Sequence, residues 1–75
     1  MKVKVRLFGF VAEQAGRREI QVDVAEPATV KSVVEATGLS IPRSVRAAVN
    51  TDYADAKTPV RAGDVVSLIP PVGGG

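Results

Sequence analysis

Thr29-Val30-Lys31-Ser32-Val33-Val34-Glu35-Ala36-Thr37-Gly38-Leu39 is the stretch that carries two turns of helical period. Val30, Val33, Val34 and Thr37 fall at i, i+3, i+4 and i+7, which lines up one apolar stripe. Thr29 stands where an N-cap belongs, its hydroxyl able to take an orphan amide of the first turn. Gly38 stands at the left-handed C′ position, with Leu39 placed to pack back as the hydrophobic C″ residue. Valines are poor helix formers, so this helix must be held by what it packs against.

What it packs against is legible on both sides. Upstream, Lys2 to Phe8 alternates with period two. Val3, Val5 and Leu7 share one face; Lys2, Lys4 and Arg6 share the other. Glu19 to Val24 is a return strand with Ile20, Val22 and Val24 inward. Gly9 to Arg18 reads as a long hairpin connection with room for one helical turn, and Ala25 to Ala28 as a loop. Downstream, Leu39 to Ser44 is irregular. Val45 to Asn50 is a third strand with Val45, Ala47 and Val49 inward. Thr51-Asp52 is a tight turn, Tyr53-Ala54 a short fourth segment, Lys57 to Val60 a bend and Arg61 to Asp64 a turn. Val65 to Ile69 is the last strand, with Val66 and Leu68 inward.

The order β–β–α–β–(short β)–β, joined by a right-handed crossover, puts one helix across one face of a mixed sheet. This is a two-layer α+β domain. The β-grasp architecture fits it: one main helix, four to five strands, and the first and last strands parallel at the sheet centre. The domain spans residues 1–69, and residues 70–75 form a flexible, extended tail.

The alternation leaves two misfits. Phe8 falls on the charged face of the first strand. If Ser67 marks the wet face of the last strand, Ile69 is exposed there too. Two apolar residues on adjacent strands, with Tyr53 in the nearby hairpin, form a candidate partner-binding patch. Lys2 reads as a solvated charge that discourages edge pairing, while Lys4 and Arg6 are candidate rim contacts.

The tail is Pro70-Pro71-Val72-Gly73-Gly74-Gly75. At average glycine usage, three glycines at one chosen place occur in about one chain in three thousand; by itself the stretch reads equally as a frayed terminus or a linker, and the rest of the chain decides. Glycine without a Cβ fits channels closed to other residues, and the prolines keep the chain extended.

Composition removes most competing chemistry. The 75 residues contain no Cys and no His. There is thus no disulfide framework, no thiol nucleophile and no imidazole base for Ser32, Ser40, Ser44 or Ser67. Lys31 lies off the face of Ser32. Asp52 and Asp55, flanking Tyr53, offer too few ligands for a calcium cage, so no metal is expected. Ten basic and eight acidic residues, net +2, are spread along the chain, which is no nucleic-acid signature. No apolar run has the length of a membrane span, and the start alternates where a signal peptide would be apolar. The expectation is a soluble, cytoplasmic protein without nucleic-acid or membrane partners.

Leu7-Phe8-Gly9, Glu13, Ala15-Gly16, Ala48-Val49-Asn50, Gly63-Asp64-Val65 and the Pro70-Pro71-Val72 end with its glycines together resemble the small subunit of molybdopterin synthase, the MoaD-like sulfur carriers. The resemblance runs from end to end. It implies the ubiquitin-like β-grasp fold and a carrier with no bound cofactor. An E1-like adenylyltransferase would use ATP to adenylate Gly75, and a persulfide donor would convert it to a thiocarboxylate. Pro70, Pro71, Val72, Gly73 and Gly74 would carry the tail into the large synthase subunit of a heterotetramer. There sulfur would pass to cyclic pyranopterin monophosphate, with the catalytic groups in the large subunit. Phe8, Tyr53 and Ile69 match the family's docking positions. Two positions depart from the pattern: Gly73 replaces a common Ser or Thr, and Ala12 a common basic residue. A triple-glycine end also resembles the carrier of thiamine thiazole synthesis. Carriers for tRNA thiolation or cysteine synthesis, a ubiquitin-like modifier and a plain interaction domain remain alternatives.

Overall fold

The computed structural model describes residues 1–71. Nine elements follow in order: β1 (Lys2–Leu7), α1 (Gly9–Ala15), β2 (Glu19–Asp23), β3 (Ala28–Thr29), α2 (Val30–Thr37), β4 (Arg46–Val49), β5 (Asp52–Ala54), β6 (Pro59–Val60) and β7 (Val65–Ile69). Five strands form one mixed sheet in the order β2-β1-β7-β4-β5, and β3 pairs with β6 in a separate two-stranded ribbon. β1 and β7 are parallel neighbours with Val5 opposite Val66 and Leu7 opposite Leu68, while the other pairs are antiparallel. This is the β-grasp architecture that the element order implies.

The core lies between the sheet and α2. Val3, Val5, Leu7, Val66 and Leu68 face inward from the two central strands, and Val30 and Val33 meet them from the helix. Each fully buried Val or Leu contributes roughly 1.5–3 kcal/mol over its exposed state. The buried core contains no aromatic residue. Both ends of α2 are formed as its sequence implies. Thr29 Oγ1 accepts from the Ser32 amide at 3.3 Å, and the Thr29 amide donates to Ser32 Oγ at 2.8 Å, a reciprocal capping box. Gly38 closes the helix at φ 70°.

Three local readings are corrected. The Gly9–Arg18 connection contains a seven-residue helix, α1, that buries Val11 and replaces most of the expected hairpin loop. The loop before α2 and the bend at residues 57–60 pair with each other as β3 and β6, Ala28 opposite Val60 and Thr29 opposite Pro59. The third strand is shorter than expected, and the residue most buried in it is Ala48, on the outer face. No helix among the described residues is long and apolar enough to cross a membrane.

Candidate docking face and tail exit

The inner residues of the sheet are committed to the core, so any partner surface on the sheet must come from the other face. Register places Glu19, Arg6, Ser67, Ala48 and Tyr53 in one row that crosses all five strands of that outer face. The next row toward the tail holds Ile69 opposite Arg46. Phe8 follows β1 in extended conformation, φ −133° and ψ 156°, so the alternation that turns Leu7 inward carries Phe8 to the outer face.

The aromatic residues are distributed unusually. The chain has two Phe, one Tyr and no Trp. All three are exposed, at 42% for Phe8, 43% for Phe10 and 66% for Tyr53. A small domain ordinarily uses such side chains to build its core, and their exposure makes this surface the candidate for partner docking. Phe10, in the first turn of α1, lies outside the patch that strand alternation defines, because a connecting segment has no period to set its direction. Its signal was present: an aromatic two residues from Phe8 beside a glycine.

Phe8 and Ile69 sit on adjacent strands at the end of the sheet where the tail leaves. Ile69 is half-buried, less open than the alternation implies, because β7 is central and has neighbours on both sides. Tyr53 lies farther off, on the edge strand β5. Its link to Ile69 is Arg46, whose guanidinium lies over the Tyr53 ring, 4.5 Å from the centroid. At exposed sites such a contact contributes about 0.5–1 kcal/mol. Arg46 carried no sequence motif, since only the register of β4 with β7 and β5 reveals its neighbours. Of the two rim candidates, Lys4 is paired with Glu19 at 3.7 Å, both side chains nearly half exposed. Arg6 makes no ion pair among the described residues.

The base of the tail is fixed from the opposite side. Gly9 has φ +54°, and a Cβ built on it would stand 2.8 Å from Pro70 Cγ. Only glycine combines that backbone conformation with that closeness. The turn between β1 and α1 therefore packs against Pro70 through Gly9, the residue that follows Phe8. Pro70 is half-buried and Pro71 exposed. Val72, Gly73, Gly74 and the reactive candidate Gly75 lie outside the described residues.

The approach to β7 is pinned by a polar clasp. Asp64 Oδ2 accepts from the Arg61 amide at 2.9 Å, and its Oδ1 accepts from Asn50 Nδ2 at 3.2 Å. Asn50 in turn accepts from the Val65 amide on its side-chain oxygen, 3.1 Å, and donates its own amide to the Val65 carbonyl, 2.7 Å. These donors, first the Arg61 amide and then Asn50, hold the Asp64 carboxyl below the usual carboxylate range. Other candidate groups have structural partners. Ser32 is used in the capping box, and Asp55 Oδ1 accepts from the Lys57 amide within its own turn at 2.9 Å.

Fold and site together define a ubiquitin-like β-grasp domain whose charged outer face carries Phe8 and Ile69 at the root of the C-terminal tail. The chain belongs to the ThiS family, whose profile matches residues 5–75. With the structural neighbours below, this places it in the ubiquitin-like MoaD/ThiS superfamily, among sulfur carriers and the related ubiquitin-like archaeal modifiers. It is similar to small archaeal modifier protein 1 from Haloferax volcanii, with 28% identity, TM-score 0.88 and full coverage of both chains. It is similar to a molybdopterin converting factor subunit 1 from Pyrococcus furiosus, with 28% identity, TM-score 0.80, and 96% of this chain and 99% of that one covered. A third neighbour, 27% identical with TM-score 0.64 and full coverage of both chains, comes from the complex of subunits 1 and 2 of the molybdopterin-converting factor from Helicobacter pylori. Comparison with curated proteins finds no match.

Proposed function

We propose that this chain is the sulfur-carrying small subunit of molybdopterin synthase. The observation that carries the reading is the joint placement of the Phe8–Ile69 face and the Gly9-held Pro70 at one end of the sheet. A partner that grips the face receives the tail in a set direction.

The chemistry belongs to the terminal carboxylate and to partner enzymes. A carboxylate anion resists nucleophilic attack, so one of its oxygens first attacks the α-phosphorus of ATP in an E1-like partner and pyrophosphate leaves. The terminal sulfur of a persulfide attacks the resulting acyl adenylate and AMP leaves. A second thiol then cleaves the acyl disulfide, which leaves a thiocarboxylate on Gly75 and a disulfide on the donor. The chain binds no cofactor of its own, and ATP is the partner's substrate. In the large synthase subunit, Pro70 to Gly74 thread the tail toward the catalytic groups, and the sulfur passes to cyclic pyranopterin monophosphate. Phe8, Ile69 and Tyr53 hold the carrier in place.

The test is intact mass after incubation with the activating enzyme, ATP and a persulfide source. One oxygen-for-sulfur exchange is expected, and its loss when a residue is appended after Gly75. An unchanged mass with an active enzyme defeats the carrier reading. Thiocarboxylated protein plus large subunit then distinguishes the acceptor: conversion of the pyranopterin precursor supports this pathway over thiamine, tRNA or cysteine sulfur transfer.

A second reading is favoured by the similarity to small archaeal modifier protein 1: a modifier joined through its terminal glycine to lysines. Isopeptide-linked species in the same incubations, without pterin conversion, would support it.

A further inference from the structure

The outer face carries more charge than a purely apolar docking patch needs, and that charge is unevenly placed. By register, Lys2, Lys4, Arg6 and Arg46 lie on this face with Glu19 and Asp23. Both acids are on β2, the edge strand farthest from Tyr53, and Glu19 is already engaged by Lys4. Arg46, opposite Ile69, has no acid in register, and Arg6 stands opposite Glu19 but makes no ion pair among the described residues, that carboxylate being engaged by Lys4. Between them the sheet is nearly flat in relief, because Ser67 and Ala48 are small and Ala48 is buried even on this outward side. Arg6 and Tyr53 stand three strand spacings apart, about 14 Å, with that low floor between them.

Arg46 is the more telling of the two. Its guanidinium rests on Tyr53, a ring that is itself two-thirds exposed at 66%. Stacking occupies a face of the guanidinium and leaves its in-plane N–H donors free, and none of them has a hydrogen-bond partner among the described residues. A stacked arginine has also lost part of its rotamer freedom before any partner arrives, which lowers the cost of binding. Such a fork suits a carboxylate in the plane of the guanidinium.

We propose that the outer face selects its partner by charge, with Arg46 as the specificity-determining residue: presented by Tyr53, it takes a carboxylate from an acidic, apolar-anchored protein segment laid over Ser67 and Ala48, and Arg6 takes a second carboxylate on the far side. This rests on the docking face described above and deepens it. A protein segment fits better than a nucleic acid, because the neighbouring surface is the aliphatic Ile69 and the net charge of the chain is only +2. Charge pairing of this kind sets partner choice and encounter rate.

The test uses the full chain and, as probe, the subunit 2 homologue of the molybdopterin-converting factor from the same genome. Binding is measured by calorimetry at about 0.05 M and about 0.5 M NaCl, across which exposed charge pairs are screened. Wild type is expected to bind more weakly at high salt. Arg46→Glu should weaken binding about tenfold or more at low salt and remove much of the salt dependence. Arg46→Lys should fall between, since it keeps the charge and loses the flat stack. Lys2→Glu, on the same face but away from the floor, should stay within about twofold of wild type. A carboxylate-to-lysine change in the probe that restores binding of Arg46→Glu would identify the facing residue. Arg46→Glu binding like wild type while Phe8→Ala fails overturns the charge proposal and leaves the docking face standing. Wild type failing to bind overturns both. A single-stranded oligonucleotide bound with equal strength, and lost in Arg46→Glu, overturns the choice of a protein partner.

Discussion

Gly9 and Pro70 touch: a Cβ on residue 9 would lie 2.8 Å from the proline Cγ. Sixty-one positions apart in sequence, they meet because β1 and β7 run parallel and side by side. The start of α1 is thereby locked to the root of the tail. Gly9→Ala faces both the +54° φ and this contact. The strain should destabilise the domain by about 1–3 kcal/mol, and a shift of 1 kcal/mol lowers Tm by about 4–8 °C at this size. A thermal melt measures that. Sulfur loading at a temperature where the variant is folded should fall as well, since Pro70 is displaced. An unchanged melt would mean that the turn and the proline move apart freely.

The surface aromatics and the buried aliphatics should respond oppositely to truncation. Phe8→Ala should weaken partner binding by about 1–3 kcal/mol, the range of an interface anchor, and leave the melt nearly unchanged. Phe10→Ala tests whether the anchor extends onto α1. Leu68→Ala, at a residue only 1% exposed, should cost about 2–5 kcal/mol of stability. Denaturant melts and binding titrations on the three variants separate these effects. Loss of fold in Phe8→Ala would make that ring a core residue.

The capping box makes a smaller, sharper prediction. Thr29→Ala removes the acceptor for the Ser32 amide and should cost about 1 kcal/mol. Because Thr29 and Ser32 bond reciprocally, adding Ser32→Ala should cost less than the sum of the single changes. Urea unfolding of both single variants and the double variant checks the cycle.

Asp64 should contribute a defined acid sensitivity. Its carboxyl has a lower pKa folded than unfolded. The stabilisation is therefore present above the unfolded value, about 4, and is lost as pH falls through the lower folded value. The stability difference between wild type and Asp64→Asn should shrink between pH 7 and about pH 2. Urea melts at the two pH values measure it. A difference independent of pH would show that the turn is held by hydrogen-bond shape rather than by charge.

The frame was legible because its signals are local and periodic. Val3, Val5 and Leu7 alternate; Val30 and Val33 recur at helical spacing; Thr29 and Gly38 bound the helix. Each pattern reports which side of an element is dry, and the parallel pairing of β1 with β7 is a feature of the β-grasp architecture that this element order fits. α1 was hidden by its length. Seven residues with glycine at either end leave little period to read, and packing of Val11 rather than propensity holds them in place. β3 and β6 were hidden because a two-residue strand has no alternation, and only its partner defines it.

The site divides in the same way. Phe8 and Ile69 were readable as apolar residues on a wet face, and the glycine end as a composition anomaly, because both are properties of the chain itself. Arg46 over Tyr53, the Asn50–Asp64 clasp and the approach of Gly9 to Pro70 were not readable. Each is a relation between different segments of the chain, set by strand register and by the path of a turn. Periodicity tells a side chain which face it occupies, and only the closed sheet tells it which neighbour it meets there.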